Sequence, residues 1–264
     1  MMQSNLQCRS IEYTAARSSR RYTGLLLVAL LIIVAGCVSP PSVDDDGLLY
    51  SDQPLVDMIY QVDTATFIDQ QRLIKRITDA DYLLLGELHD NQAHHRHQAW
   101  VISELAKAGR DASIAYEMIY KEQGKRLAGI EISSAERLIN VLNETQTGWD
   151  YENQYRPLFV ETLAAGYPIV AANLDRKKLM EVLRQGEDSL PVEYRRILYN
   201  TPFSDAQHRD LKNEIAISHC NMLDAPTTTM MVQAQRIRDA VLTESLLAIN
   251  SPVKVMVAGL GHVR

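Results

Sequence analysis

Residues 82–89 read Tyr-Leu-Leu-Leu-Gly-Glu-Leu-His, and residues 253–262 read Val-Lys-Val-Met-Val-Ala-Gly-Leu-Gly-His. Each stretch is a short apolar run that ends in a Gly-x-x-His element, and the length and branching of both runs predict β-strands. A third run, residues 113–116, ends at Glu117. If these runs are neighbouring parallel strands, two imidazoles and one or two carboxylates converge at one edge of the sheet, where open α/β sheets form their sites.

The rest of the chain alternates strand-like and helix-like segments. This alternation predicts an α/β fold with a parallel or mostly parallel sheet flanked by helices. We expect strands at 82–85, 112–117, 168–172 and 253–258, and helices at 67–78, 91–109, from 176, at 204–222 and at 227–249. We expect a helical insertion over 119–166 with breaks at Gly124, Gly148 and Pro157, and an irregular stretch over 188–202.

The sequence also predicts capping residues for two helices and raises a question about the C-terminus. Asp175 is expected to cap the helix that starts at Arg176, and Thr227 to Thr229 offer N-caps for the last helix. The sequence stops directly after the second Gly-x-x-His element. This position keeps open the alternative of a C-terminally truncated reading frame that lacks a further strand or helix.

The N-terminal segment predicts export and lipidation. Arg17, Arg20 and Arg21 precede an apolar run over 25–35, which is too short to span a bilayer and ends in Val-Ala-Gly before Cys37. This pattern predicts a lipoprotein signal peptide over residues 1–37 with Cys37 as the acylated residue, on an exported protein anchored in the outer membrane. The alternatives are a plain signal peptide and a short membrane anchor.

The composition changes after this segment. Residues 38–58 are rich in Pro, Ser and Asp and predict a flexible tether, and residues 59–264 predict one folded domain. The chain carries a net charge of −6, and residues 1–37 contribute +3, so the remainder carries −9. A strongly acidic domain argues against nucleic acid as a partner, because that binding needs a basic face.

The strand-end residues are the first candidates for chemistry. His89 follows a strand, whereas His94 lies in a helix that begins nearby. Glu87 and Glu117 are the neighbouring carboxylates, and either can accept a histidine N–H, ligate a metal or act as a general base. The competing interpretations are a solvated cluster of histidines at a helix start and a Glu117 that only stabilises a helix dipole.

An aromatic group forms the second set of candidates. Its members are Trp149, Tyr151, Tyr155 and Phe159. Tyrosine is an axial ligand of ferric haem in some proteins, and Arg156 is placed to stabilise a phenolate or to pair with a propionate. The competing interpretation is that these rings only pack in the core.

Several strings of the sequence together resemble one family. They are residues 85–91 with His94, His95 and Gln98, residues 116–118, 149–159, 172–173, 219–220, 234–239 and 259–264. As a set, and in this order, they resemble the ChaN-like haem-binding lipoproteins, with the resemblance covering about residues 60 to 264. One departure is Leu242-Thr243, where the family pattern leads us to expect Met-Ala.

The resemblance implies haem as the cofactor, ligated through tyrosine, and a homodimer bridged by haem. Tyr155 is the first choice for the ligand and Tyr151 the second. It also implies a role in iron or haem uptake, with an outer-membrane haem or iron receptor as a further partner. The residues that we expect to bind the cofactor are Tyr155, Tyr151, Arg156, His89, His94 and His262.

The wider superfamily supplies the alternative. The paired Gly-x-x-His elements and the strand-end glutamate are similar to those of the Tiki metalloproteases and the erythromycin esterases. In that interpretation His89, Glu117 and His262 bind zinc or another divalent metal, and Glu87 joins them in a metal-dependent hydrolase. Because the closer resemblance is to the haem binders, we favour a haem-binding protein over an enzyme.

Overall fold

This computed structural model describes residues 53–263 of the chain. The predicted signal peptide, Cys37 and most of the predicted tether lie outside the described residues. The chain divides into two compact units, one ending at Ile68 and one beginning at Asp69. Within residues 53–263, none of the helices has the length and apolar character needed to cross a bilayer.

The described part of the first unit is a short antiparallel hairpin. Strand β1 (Ile59–Gln61) pairs with β2 (Thr66–Ile68). The rings of Tyr60 and Phe67 meet across the pair at 5.2 Å between centroids. Phe67 therefore belongs to a strand, and the helix predicted to begin there starts later.

The second unit is built on a parallel four-stranded sheet. Its strands are β3 (Tyr82–Glu87), β4 (Ala112–Tyr120), β5 (Ile169–Asn173) and β6 (Val253–Gly259), in the order β3-β6-β4-β5. The prediction of an α/β fold with a parallel sheet is confirmed. Because β6 pairs with both β3 and β4, the two Gly-x-x-His elements and Glu117 belong to three adjacent strands.

The burial of each strand follows its place in the sheet. The inner strands β4 and β6 are buried on both faces, which explains their nearly continuous apolar runs. The edge strand β3 alternates instead, with Tyr82 and Leu84 exposed. The apolar sequences of β4 and β6 therefore reflect their central place in the sheet as well as their strand conformation.

Nine α-helices surround the sheet in the described part of the chain. They are α1 (Gln70–Asp79), α2 (Gln92–Lys107), α3 (Lys121–Leu127), α4 (Ala135–Asn143), α5 (Arg156–Ala164), α6 (Arg176–Gln185), α7 (Val192–Asn200), α8 (Asp205–Ser218) and α9 (Ala225–Leu247). Helices α3 to α5 form the predicted insertion between β4 and β5. The predicted break at Gly124 is wrong: this glycine lies inside α3, where a Cβ would come within 2.6 Å of the Ala171 Cβ atom.

Capping residues correct two predicted helix starts. Helix α1 begins after Asp69, whose carboxylate accepts a hydrogen bond from the Arg72 N–H at 2.7 Å. Helix α9 begins after Asp224, whose carboxylate accepts from the Thr227 N–H at 2.8 Å, so Thr227 lies inside the helix and is not its cap. Asp175 does occupy the N-cap of α6, but its side chain makes no capping hydrogen bond.

The stretch predicted to be irregular contains a full helix. Helix α7 starts after Pro191, and Leu198 on its inner face is buried in a cluster with Ile237 and Val241 of α9. The short helix is stabilised by this packing, which its polar sequence does not reveal.

A five-residue π-helix, Tyr151–Tyr155, leads directly into α5. Asp150 begins it and accepts a hydrogen bond from the Asn153 N–H at 3.1 Å. Wide turns of this kind are rare and often lie at functional sites. Here the turn directs both terminal tyrosines, Tyr151 and Tyr155, into the interior.

Candidate functional site

The carboxyl ends of β3, β4 and β6 meet as predicted. Glu87 ends β3 in register with Gly259, which ends β6. Glu117 lies in β4 where the pairing with β5 shifts register between Tyr116 and Tyr120. Its carboxylate accepts a hydrogen bond from the Gly259 N–H at 2.8 Å. This irregularity beside a candidate site is typical of β-bulges that redirect a side chain.

A cavity of about 620 Å³ opens at these strand ends. Its volume lies within the range of small-molecule and cofactor sites. Its lining combines apolar, aromatic and titratable side chains with glycines: Glu87, Leu88, His89, Asp90, Gly148, Trp149, Asp150, Gln154, Tyr155, Gln235, Gly259, Leu260, Gly261 and His262. Of the predicted site residues, Glu87, His89, Tyr155 and His262 line this cavity.

Glu87 is the buried centre of the first cluster. Its Oε1 atom accepts hydrogen bonds from the Tyr155 hydroxyl at 2.7 Å and from Nδ1 of His89 at 2.9 Å. Nε2 of His95 lies 3.4 Å from the same oxygen. Burial acts to raise the pKa of Glu87, but the contacts with His89, His95 and Tyr155 outweigh it and lower the pKa to about 2. Glu87 is therefore a buried carboxylate that stays ionised.

His89 reaches from this carboxylate to the cavity. Its side chain is 40% exposed, and its ring packs against the Trp149 ring in a T-shaped arrangement with 4.8 Å between centroids. Burial acts to lower the pKa of His89, but the hydrogen bond to Glu87 and the charge of Glu117 raise it above its ordinary value. One imidazole nitrogen is thus fixed on a carboxylate while the ring faces the cavity.

Tyr155 is held differently. The side chain is fully buried, and its hydroxyl donates to Glu87. Burial and the neighbouring negative charge of Glu87 raise the pKa of Tyr155 far above its usual range. The phenol therefore keeps its proton in this arrangement.

His262 is the centre of a second cluster. Its Nδ1 atom donates to Oδ1 of Asp239 at 2.6 Å, and its Nε2 atom lies 3.4 Å from Oε1 of Glu117. Burial acts to lower the pKa of His262, but the two carboxylates raise it to about 9. The amide nitrogen of Gln235 donates to the Gly261 carbonyl at 2.9 Å and holds the turn that carries His262.

The three residues of the alternative hydrolase interpretation lie near one another. A Cβ atom placed on Gly259 would lie 2.6 Å from Nε2 of His89 and 3.6 Å from Oε2 of Glu117, which in turn approaches His262. Within residues 53–263, however, no three His, Cys, Asp or Glu side chains are arranged so that they hold a metal ion. The zinc site formed by His89, Glu117 and His262 stays a prediction that the side-chain placement does not support.

Besides Glu117, three other predicted residues lie outside the cavity lining. Tyr151 is buried, and its hydroxyl donates to the Met118 carbonyl at 2.7 Å. Arg156 pairs with Glu152 one turn earlier, at 2.5 and 2.7 Å. Nδ1 of His94 accepts the Leu88 N–H at 2.9 Å, which stabilises the turn after β3. Tyr151 and His94 thus have hydrogen-bond partners within the protein, and Arg156 forms a partly exposed ion pair.

One contributor to the first cluster was not among the predicted site residues. His95 is buried, and its ring lies 4.8 Å from the ring of Tyr155. The sequence holds a signal for it, because His95, Gln98, Ala99 and Ile102 follow the spacing of an inward helix face.

One of the solved structures that match this chain supports its architecture. A solved structure described as "Cofacial heme binding to ChaN of Campylobacter jejuni" matches with a TM-score of 0.61 and 20% identity, over 76% of this chain and 79% of that one. The structure of the type III effector HopBA1 matches with a TM-score of 0.41 and 13% identity, over 72% of this chain and 71% of that one. A search of curated proteins finds no significant match. The ChaN structure therefore shares this fold.

The comparison with protein families identifies the family of this chain as well as its fold. The family described as "Haem-binding uptake, Tiki superfamily, ChaN" matches residues 73–264, which include every strand of the parallel sheet and the whole cavity lining. The match covers well over half of the chain. The chain belongs to this ChaN family of haem-binding uptake proteins.

Proposed function

We propose that this chain binds haem in the cavity at the carboxyl ends of β3 and β6. This proposal rests on the side chains that line the cavity. Trp149, Leu88 and Leu260 give it an apolar wall, and the imidazole of His89 faces it. Cofactor sites combine apolar walls with a few placed polar groups in this way.

The residues present fit a flat, amphipathic, iron-containing ligand. Gly148 and Gly261 leave the backbone open to close approach by a ring system. Nε1 of Trp149 and Oε2 of Glu87 are buried without a hydrogen-bond partner in the protein. Trp149 therefore has an indole N–H that no group of the protein satisfies. When bound, haem supplies an iron centre that takes a nitrogen or oxygen donor from the protein.

We also propose that the protein is a lipoprotein. Acylation of Cys37 would anchor it in the outer membrane, and residues 38–58 would carry the domain away from the surface. The net charge of −9 that remains after the residues before Cys37 are removed favours attachment through acyl chains over electrostatic attraction to anionic lipids.

The proposed role is haem handling during iron uptake. The Campylobacter jejuni structure is described as cofacial haem binding to that ChaN protein. By analogy, a haem-bridged homodimer is the proposed assembly of this chain, and an outer-membrane haem or iron receptor is the proposed partner. The exposed position of the site at the strand ends suits transfer of a ligand between proteins.

Titration of the purified full chain with haemin tests this function. We expect a saturable shift of the Soret absorption band in the wild type. Gly261 lines the cavity, and a Cβ there meets only Nε2 of Gln235 at 3.4 Å, so Gly261→Phe directs a ring into the cavity. That variant should bind haemin at least ~10-fold more weakly.

Gly129→Phe is the matched control, because Gly129 is exposed and a Cβ there meets no atom within 4 Å. It should bind haemin like the wild type. Absence of saturable binding, or equal binding by the Gly261 variant, would contradict the proposed site.

A further inference from the structure

We infer that the outer edge of β5 is a binding site for an extended acidic peptide, which joins the parallel sheet as a further strand. The site is a groove of about 590 Å³ between β5 and helices α3 to α5, here called the β5 groove. Its lining residues are all different from those of the strand-end cavity. The inference therefore goes beyond the proposed haem binding and does not depend on it.

The outer edge of β5 has unpaired backbone groups. Within residues 53–263, β5 is the last strand of the sheet and pairs with β4 alone. The Ile114 N–H donates to the Pro168 carbonyl at 2.9 Å. Because alternate residues of a parallel strand bond to the same neighbour, Ile169 and Ala171 direct their N–H and C=O groups away from β4. In the described part of the chain, no other segment forms a backbone hydrogen bond with those two residues.

The β5 groove runs along this edge. Ile169 and Ala171 pack with the apolar cluster on one face of the sheet, and Val170 packs with the cluster on the other face. All three residues nevertheless line the groove. Since successive side chains of a strand point to opposite faces, a groove that reaches three in a row follows the strand backbone. An acyl chain would leave those backbone groups without partners, whereas an extended peptide would satisfy them.

The walls of the β5 groove suit apolar side chains. Leu138 and Leu163 form part of the wall, and Gly124 lines it without a side chain. Tyr167 presents its ring, because its hydroxyl donates to the Arg110 carbonyl at 2.6 Å. Every second side chain of an added strand would point to this wall, so the groove favours a peptide with alternating apolar residues.

The charges at the β5 groove favour an acidic peptide. Both charged residues of its lining are lysines. Lys125 pairs with Glu122 at 2.8 Å, whereas no ion pair within residues 53–263 includes Lys121. Burial lowers the pKa of Lys121 more than the charges of Glu193 and Glu244 raise it. A carboxylate of the peptide would give Lys121 a close counter-charge.

The same lysines disfavour a second copy of this chain as the occupant. Two copies that paired through their β5 edges would bring the lysines of both grooves into one interface. The groove linings would contribute no carboxylate to balance them. Like charges facing each other across an interface oppose association.

Binding of labelled peptides to the purified full chain tests the inference. The probes are capped peptides of about six residues, the usual length of a strand, in which Val, Ile, Leu or Phe alternates with Thr and one end carries Asp, Asn or Lys. Fluorescence polarisation should show saturable binding of Asp peptides, at least ~10-fold tighter than that of the matching Lys peptides. Methylation of the peptide backbone nitrogens keeps the side chains but removes the N–H donors, so it should abolish binding.

Two substitutions locate the binding on the protein. Ala128 is exposed and lines the β5 groove, so Ala128→Phe should obstruct it and weaken binding at least ~10-fold. Gly129→Phe is the matched control, because Gly129 is exposed and lies outside the lining. Lys121→Gln should remove the preference for Asp over Asn peptides. Circular dichroism checks that each variant folds.

Several outcomes would overturn the inference. They are absence of saturable binding by every Asp peptide, equal binding of the methylated peptides, and unchanged binding by the Ala128 variant. Self-association of the wild type that Ala128→Phe abolishes, measured by analytical ultracentrifugation, would assign the groove to a second copy and would also overturn it. None of these results bears on haem binding, because the strand-end cavity is a separate site.

Discussion

The hydroxyl of Tyr155 donates to Oε1 of Glu87 at 2.7 Å, although 68 positions separate the two residues in sequence. The contact joins the π-helix to the end of β3. The same oxygen accepts the Nδ1 proton of His89. One buried carboxylate thus links the aromatic insertion to the strand-end histidine, and the site depends on both.

Loss of this hydroxyl should destabilise the fold. Tyr155→Phe removes one donor from a buried carboxylate, and a hydrogen bond to a charged group contributes about 2 kcal/mol. Urea denaturation should therefore show a free energy of unfolding lower by about this amount. Tyr60→Phe, on the half-exposed ring of the hairpin, should leave it unchanged. Equal unfolding free energies for Tyr155→Phe and the wild type would refute the proposed importance of the contact.

Stability should fall as the solution becomes basic. The pKa of His262 is raised from its ordinary value of 6.5 to about 9, because the contacts with Asp239 and Glu117 outweigh burial. A raised pKa contributes stability that is fully present below pH 6.5 and is lost as the pH rises through 9. The maximum loss is about 3 kcal/mol.

His262→Gln isolates this contribution. We expect the variant to lose less stability than the wild type between pH 6 and pH 9.5, as measured by urea denaturation of the apoprotein across the ~6.5 to ~9 window. Parallel pH profiles for the two proteins would show that the imidazolium of His262 contributes nothing to stability.

Gly259→Ala should separate folding from ligand binding. The backbone angles of Gly259, φ −58° and ψ 149°, suit alanine, but the new methyl group would displace the end of the His89 side chain. The free energy of unfolding should fall by only about 1 kcal/mol, while haemin affinity should fall ~10-fold or more. Gly129→Ala, in open space, is the control for both measurements. Unchanged affinity in the Gly259 variant would mean that His89 does not need its present position.

The lipid anchor can be tested independently of haem. Cys37→Ser should abolish incorporation of a labelled fatty acid and release the protein from membranes, because acyl chains are the proposed attachment. Cys220→Ser serves as the control, since Cys220 is an exposed free cysteine in the folded domain and should not affect labelling. Persistent labelling of the Cys37 variant would rule out acylation at that position.

The sheet and the convergence of its strand ends were predictable from sequence. Apolar runs of strand length, each followed by a polar residue, determine where the parallel strands end, and the two Gly-x-x-His elements identify the edge that bears the site. The place of β6 between β3 and β4, in contrast, is determined by tertiary packing and not by a local sequence pattern. It decides that Glu117 meets Gly259 and His262.

Other features depended on contacts distant in sequence. The π-helix is set by the burial of Tyr151 and Tyr155, which no local pattern reveals. Helix α7 has a polar sequence and is stabilised where Leu198 packs on α9. The choice between His94 and His95 depends on the rotation of α2, which its buried apolar residues determine. Sequence patterns therefore predicted the candidate donors better than their orientation.

Crystals of the haem-loaded full chain, measured at the iron absorption edge, give the most direct test of the central claim. The anomalous signal should locate the iron in the cavity lined by His89, Trp149 and His262. An iron located in the separate groove lined by Lys121 and Tyr167 would contradict the account.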